Sequence, residues 1–285
     1  MKHYPTFLSI AGSDSIGGAG IQADIKTATA LGVYAMTVVT AVTTQNTRGV
    51  AGVMPVPADV IRAQLSAVLC DVRPDAVKIG MVPNTEASEV IGEAIGRRGL
   101  TNVVVDPVMV ATSGDDLVEG SDEQLKMQYL NLMSGSTLAT PNLPEAHRLL
   151  ALLGSDEPGL DPNELTARLI RAYGPKALLL KGGHGEGRLL TDLLACPDPA
   201  NPDADCCLRA FAHPRISTTN THGTGCSLSS AIASMLALGY ELTEAVGRGI
   251  GWLQQAIASG AGYELGRGHG PIDHMHNITS NRKKL

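Results

Sequence analysis

TFLSIAGSDSIGGAGIQADIKTATALG, residues 6–32, is the stretch on which the fold turns. TFLSIAG is apolar and rich in residues that suit a pleated, buried surface, so it reads as a strand. AGIQADIKTATALG puts Ile21, Ile25 and Ala28 at i, i+4 and i+7, one face of a helix, and meets a stop at Gly32. A strand, a glycine-rich turn and a helix make the first βα step. The next segment, YAMTVVTAV, is again a strand, and ADVIRAQLSAVL carries a helical stripe with Asp59 as its candidate N-cap.

The alternation continues to the end of the chain. DAVKIGM and NVVVDPVM read as strands separated by the helix TEASEVIGEAIGRRG. STLATPN (strand), PEAHRLLALLG and ELTARLIRAYG (helices) and KALLLKGGH (strand) follow. RLLTDLLA and LRAFAHPRI read as a hairpin at one edge, and the chain closes with helices over 226–238 and LTEAVGRGIGWLQQAIASG. This order predicts an α/β fold, a mostly parallel central sheet with helices on both faces in a three-layer αβα arrangement. With no repeat, linker or break in composition, residues 1–285 read as one domain.

Composition narrows the chemistry. Aromatic residues are 3% of the chain and the net charge is −6, which leaves neither stacking platforms nor a basic surface for nucleic acid. No apolar run reaches the ~18 residues of a membrane span, and the N-terminus lacks the pattern of a signal peptide. Five cysteines, odd in number and irregular in spacing, do not form a disulfide framework. The expectation is a soluble cytoplasmic protein acting on a small molecule, with no membrane or nucleic-acid partner.

In a sheet of this kind ligands sit beyond the carboxyl ends of the strands, and the unusual residues cluster there. AGSDSIGGAG (11–20) lets backbone approach a ligand closely, with Gly12 at its start and Asp24 one turn into the helix beyond it. Gly18-x-Gly20-x-x-Ala23 formally fits a relaxed dinucleotide fingerprint, but TAVTTQNT stands where the ribose acid belongs. TTQNTRG (43–49) is a polar run after a strand, in which Gln45 both donates and accepts, as an aminopyrimidine or pyridine ring requires. Asp106 emerges from the apolar VVVDPVM, a placement that is costly without a partner or metal. Asn142 and Glu145 have the spacing of a capping box and face the same crevice, where few oxygen ligands suit Mg²⁺ held through water and phosphates.

Lys181, followed by Gly-Gly and His184, reaches a phosphate as a point charge. His269, His274 and His276 do not have zinc spacing, nor do Cys196, Cys206 and Cys207, so a polar ordered tail is expected rather than a metal. THGTGCSLSSAIASMLALG (221–239) starts a helix behind two glycines, with Leu228, Ile232, Met235 and Leu236 on one face. Its first N–H groups, at Gly223, Thr224, Gly225 and Cys226, form an anion site at the positive helix end. Cys226 is then either a packed small hydrophobe or a thiol exposed and made more acidic by that end.

The motifs SIAGSDSIGGAGIQADIKT, TAVTTQNTRGV, VKIGM, VVVDPVMVATSG, TPNLPEA, LLLKGGH, TNTHGTGCSLSSAIA and LGRGHGPIDHMHN, in this order, resemble the ribokinase-like family. Within it they are most similar to the hydroxymethylpyrimidine/phosphomethylpyrimidine kinases of thiamine biosynthesis. The resemblance implies ATP- and Mg²⁺-dependent phosphorylation of 4-amino-5-hydroxymethyl-2-methylpyrimidine, then of its monophosphate to the pyrophosphate, by a homodimer. It implies a pyrimidine pocket of Gly12, Asp24, Gln45, Met81 and Val108, with Asn142 and Lys181 on the nucleotide and Asp106 and Glu145 toward the metal. Gly223, Thr224, Gly225 and Cys226 become the catalytic anion hole. Ile16 and the long 194–210 segment depart from the family pattern. Two alternatives stay open: a pyridoxal or pyridoxine kinase, and a non-catalytic vitamer-binding sensor.

Overall fold

The computed structural model describes the chain apart from residues 1, 112–113, 116, 119, 156, 158, 184–186, 197–206 and 280–285. His184, Cys206 and the middle of the 194–210 segment therefore lie outside the described residues. A nine-stranded sheet runs in the order β3-β2-β1-β4-β5-β6-β7-β8-β9. Its strands are β1 (Thr6–Ser13), β2 (Tyr34–Asn46), β3 (Gly49–Pro55), β4 (Ala76–Ile79), β5 (Val103–Val105), β6 (Leu138–Ala139), β7 (Leu178–Leu180), β8 (Leu189–Cys196) and β9 (Cys207–Pro214). The strands from β2 through β7 pair in parallel, and an antiparallel hairpin closes each edge, β2–β3 on one side and β8–β9 on the other.

The period of two along each central strand makes two cores. Leu8, Val77, Val103, Val105, Leu178 and Leu180 face one side, under α2 (Ala58–Leu69), α3 (Thr85–Arg98), α4 (Asp122–Met133), α5 (Leu143–Ala151) and α6 (Pro162–Tyr173). Phe7, Ala76, Val104, Leu138 and Leu179 face the other, under α1 (Gly20–Ala30), α7 (Thr224–Ala237) and α8 (Leu242–Gly260). A short α9 (His276–Thr279) ends the described chain. The expected three layers are present.

Three details differ from the sequence reading. The polar run after β2 is not a loop: Thr43–Asn46 continue the strand and pair with β3, so Gln45 sits opposite Val50. Residues 34–42 form a strand as expected; the polar end of β2 lacks an apolar signal because its buried residue is Thr43, and β3 is exposed or half-buried throughout. Helix α4, DEQLKMQYLNLM, was also not expected; it buries Gln128, Tyr129, Leu132 and Met133, a stripe with a polar member. Helix α2 starts at Ala58 with Pro57 as N-cap, and Asp59 lies in its first turn.

The chain runs outward from β1 to β2 and β3, then returns to place β4 on the other side of β1. This reversal opens a crevice at the carboxyl ends of β1 and β4, where a doubly wound sheet binds ligands. Gly12 and Met81 stand at its two lips: a Cβ on Gly12 would lie 2.9 Å from the Met81 sulfur.

Candidate active site

A cleft of about 1030 Å³ runs along the carboxyl edge of the sheet, from the β2–β3 hairpin to the β8–β9 hairpin. Gly12, Gln45, Met81 and Val108 line one end, Asn142, Glu145 and Lys181 the middle and far end, and Gly223, Thr224, Gly225 and Cys226 the wall between. Helix α8 presents Ile250, Leu253, Gln254 and Ile257 to the cleft, spaced to share one helical face.

The wall is the N-terminus of α7. Gly223 is its N-cap at φ 79°, a left-handed conformation, and a Cβ there would collide with the Gly18 carbonyl oxygen. Two glycine-bearing segments thus meet backbone to backbone. Asp14 locks them: its carboxylate accepts the N–H groups of Ile16 (3.1 Å), Gly18 (2.8 Å) and Ala19 (2.8 Å) and contacts His222 Nε2 at 2.8 Å. Burial opposes that charge, but the His222 contact and the loop amides outweigh it and hold the carboxyl below its usual range. Neither Asp14 nor His222 was singled out from sequence. SDSIGG does carry a signal, an acid placed two, four and five residues before backbone donors of a glycine turn. Among the described residues no hydrogen bond takes the N–H groups of Gly225 and Cys226, and no acid sits in the first turn of α7. They are left for an anion.

Opposite this helix end lies a charged cluster. Asp106 is 1% exposed; its Oδ1 receives Lys181 Nζ (2.8 Å) and Thr140 Oγ1 (3.2 Å), and its Oδ2 receives Ser229 Oγ (3.3 Å). Burial raises the cost of its charge, yet Lys181 and Lys78 keep it ionised below the usual carboxylate range. Lys181 Nζ also stands 3.7 Å from Glu145 Oε2. Asn142 and Glu145 form the expected capping box on α5, with bonds of 2.7 and 2.8 Å. Burial pushes the Glu145 carboxyl up, with Lys181 pulling it back and Asp106 adding to the rise. Burial disfavours the Lys181 charge, but Asp106 and Glu145 prevail and hold its pKa above the ordinary lysine value. A Cβ on Gly225 would lie 3.4 Å from Lys181 Nζ and 3.5 Å from Asp106 Oδ2, so the first turn of α7 packs directly beside this pair.

These residues fit a hydrated Mg²⁺ rather than a protein cage. No group of three or more His, Cys, Asp or Glu converges on one point among the described residues. Both known contacts of Glu145 fall on Oε2, and its buried carboxyl is short of positive charge. A cation that keeps waters and takes one or two carboxylates plus phosphate oxygens matches that donor set.

Two expectations change. Asp24 does not reach the cleft: it is fully buried, bound by Lys78 Nζ at 2.9 Å to each oxygen and by the hydroxyls of Ser9 and Ser230. Its helix was read correctly, but the face it occupies looks toward β4 and α7. Cys226 does line the cleft, yet its thiol is not made more acidic. Burial pushes it up to about 11; Lys78 and the Gly20 N–H lower it only in part, and Asp24 and Asp106 raise it.

The C-terminal histidines belong to the scaffold. His274 Nε2 meets Ser227 Oγ at 2.8 Å, and that hydroxyl donates to the Gly223 carbonyl, so the tail braces the start of α7. Burial, with the Lys26 charge adding to it, pulls His274 down to about 4. Unfolded chains take up this proton first, near pH 6.5, so stability present above that pH is lost on the way down to pH 4. Urea unfolding is expected to show about 2 kcal/mol less stability at pH 5 than at pH 7.5 from this group. His274→Gln should flatten that part of the profile; an unchanged slope would remove His274 as its source.

Comparison with known proteins follows the same lines. Residues 14–273 match the family described as phosphomethylpyrimidine kinase. The chain belongs to that family. It is 46% identical over 271 residues to the hydroxymethylpyrimidine/phosphomethylpyrimidine kinase of Rhizobium meliloti, covering 94% of this chain and 96% of that one. The solved phosphomethylpyrimidine kinase of Clostridium difficile is 37% identical, with a TM-score of 0.69 over 88% of this chain and 99% of that one. The pyridoxal kinase of Bacillus subtilis, solved as an ADP complex, is 31% identical, with a TM-score of 0.80 over 97% and 100%. The chain is therefore a kinase with a ribokinase-like fold. Of the residues expected at its site, all line the cleft except Asp24.

Proposed function

We propose that this kinase transfers the γ-phosphoryl group of ATP to the hydroxymethyl group of 4-amino-5-hydroxymethyl-2-methylpyrimidine, and then phosphorylates the monophosphate to the pyrophosphate, for thiamine biosynthesis. The observation that carries this reading is that the α7 N-terminus lines the same cleft as Gln45 and Met81 on one side and Lys181 on the other. Such transfers proceed through a loose transition state, in which positioning and charge neutralisation do most of the work. Lys181 binds the transferring phosphoryl as a point charge, and the free N–H groups of Gly225 and Cys226 face its oxygens. Gln45 pairs with the ring edge, while Gly12 and Val108 shape the pocket around it. Glu145, with Asp106 nearby, would hold Mg²⁺, which would supply neutralisation of phosphate charge. Asn142 fixes the Glu145 carboxylate and borders the nucleotide.

Cys226 rests as a neutral thiol, so a phosphate acceptor meets no fixed negative charge there, while a small thiolate fraction takes the proton of an alcohol acceptor. Cys226→Asp tests this hypothesis. The first transfer is expected to keep at least about a tenth of its kcat, and the second to fall by roughly two orders of magnitude, as like-charge repulsion predicts. Equal losses for both acceptors would sink it. A coupled assay of ADP release with hydroxymethylpyrimidine and with its monophosphate tests the function itself; turnover of neither overturns it.

The reading carries three further expectations: one catalytic unit over residues 1–285, a cytoplasmic location and a homodimer. No helix among the described residues is long and apolar enough to cross a membrane. A second reading, phosphorylation of pyridoxal, is favoured by one observation, the TM-score of 0.80 to the Bacillus subtilis pyridoxal kinase. Head-to-head kcat/KM on the two alcohols separates them. A vitamer-binding sensor without catalysis is disfavoured by the Lys181–Asp106–Glu145 cluster, which a sensor does not need.

A further inference from the structure

The buried ion pair left over from the site, Lys78 with Asp24, is 0% exposed on both side chains and touches neither cleft nor solvent. Its surroundings form two rungs between α1 and α7. On the upper rung the N–H of Gly20, first residue of α1, addresses the Cys226 sulfur. On the lower rung Ser230 Oγ donates to Asp24 Oδ1 at 2.7 Å. Asp24 is four residues after Gly20 and Ser230 four after Cys226, so the rungs are about one helical turn, ~6 Å, apart. Lys78 reaches the lower rung from β4, where a Cβ on Gly80 would lie 2.6 Å from its Nζ. The ammonium fills the space that the missing Gly80 side chain leaves, held by both Asp24 oxygens at 2.9 Å, and Ser9 donates to Asp24 Oδ2 at 2.5 Å.

We infer that Lys78, anchored by Asp24, is a positioning residue of the phosphoryl transfer: a fixed positive charge one turn behind Cys226 that sets how readily the thiol gives up its proton. The inference rests on the proposed role of Cys226. In the alcohol step the thiolate takes the hydroxyl proton while the acceptor oxygen bonds to the γ-phosphorus and the bond to ADP breaks. Four charged groups face this thiol: Lys78 from β4, Asp24 from α1, Asp106 beyond β5 and Lys181 beyond β7. Lys181 and Asp106 are paired to each other, and Asp24 is the counter-ion of the caged ammonium. Among the described residues Lys78 is the cation that acts on the thiol from the side away from the cleft. A packing role alone would fix the α1–α7 junction but would leave thiol reactivity indifferent to the sign of the charge removed.

The test reads the thiol without substrate. Alkylation of Cys226 by iodoacetamide is followed against pH in the folded, full chain by mass spectrometry of its peptide, with Cys226→Ser as blank. Lys78→Met combined with Asp24→Asn removes both charges without orphaning either. With the ammonium gone, its alkylation midpoint should rise by about one pH unit, and the kcat of the alcohol step should fall about tenfold with KM unchanged. Lys78→Arg keeps a positive charge beside Asp24, and its midpoint should stay at the parent value. A rise in the double variant with none in Lys78→Arg supports the inference. An unchanged midpoint in the folded double variant, or the same rise in Lys78→Arg, overturns it. Should the double variant not fold, Asp24→Asn takes its place: a buried lysine without its counter-ion sheds its proton, so this midpoint too should rise. Absence of turnover on both acceptors in the parent, with the midpoints moving as expected, counts against the proposed function, not against the charge.

Discussion

Lys181→Met is expected to lower kcat/KM by roughly three orders of magnitude while leaving the protein folded near pH 5. A single preorganised donor facing developing charge is worth about 10²–10³ in rate, and Lys181 also steadies the carboxylates beside it. Its Nζ is 2.8 Å from Asp106 and 3.7 Å from Glu145, both largely buried. Without it Asp106 loses its nearest cation and keeps Thr140, Ser229 and the more distant Lys78. Breaking a buried pair on one side costs about 3–5 kcal/mol when the remaining charge stays. The carboxyl relieves this by rising in pKa above its unfolded value. Such a group contributes its stability below the unfolded pKa and loses it as pH rises, so the deficit of the variant should grow from pH 5 to pH 8. Denaturant titrations at both pH values, beside steady-state kinetics, check the two halves. A deficit independent of pH, or a kcat/KM within tenfold of the parent, refutes this account of the cluster.

The parts of this site that were legible in the sequence are those whose chemistry is local. Asn142 and Glu145 announce a capping box three residues apart, and Lys181 follows its own strand directly. Helix α8 was read with its observed bounds, because its apolar stripe is uninterrupted. What was not legible depends on partners far along the chain. Asp24 and Lys78 are 54 residues apart, and Asp14 and His222 are 208 apart. Periodicity placed Asp24 on a helix, but which neighbour its face meets is set by α7 and β4. The thiol of Cys226 illustrates the same limit with a change of sign. A helix N-terminus alone lowers a thiol pKa, and only the closeness of α1 reveals the burial that raises it. The polar end of β2 and the whole of β3 escaped for another reason: the buried residue of the first is Thr43 and the second is exposed or half-buried throughout, so neither carries an apolar alternation.

Gly223→Ala is expected to be the most damaging single methyl in the molecule. At φ 79° an alanine pays about 1–2 kcal/mol for the left-handed conformation alone. Here the added carbon also meets backbone on the other side, the Gly18 carbonyl and the Ala19 Cα at 3.1 Å, which cannot swing away as a side chain can. Relief requires the 14–20 loop and the start of α7 to part, and Asp14 ties them through both loop amides and His222. The total loss should exceed about 3 kcal/mol, and a shift of the helix end by even 1 Å should cut kcat by about 10² or more. Gly239→Ala is the control, because Gly239 has φ 87° with nothing within 4 Å of its Cβ position. It carries the same conformational penalty without a collision and lies at the other end of α7, far from the phosphate. Its stability should fall by about 1–2 kcal/mol with kcat unchanged. If the two variants lose equal stability and both keep their kcat, the close approach of Gly18 and Gly223 is not what builds the anion site.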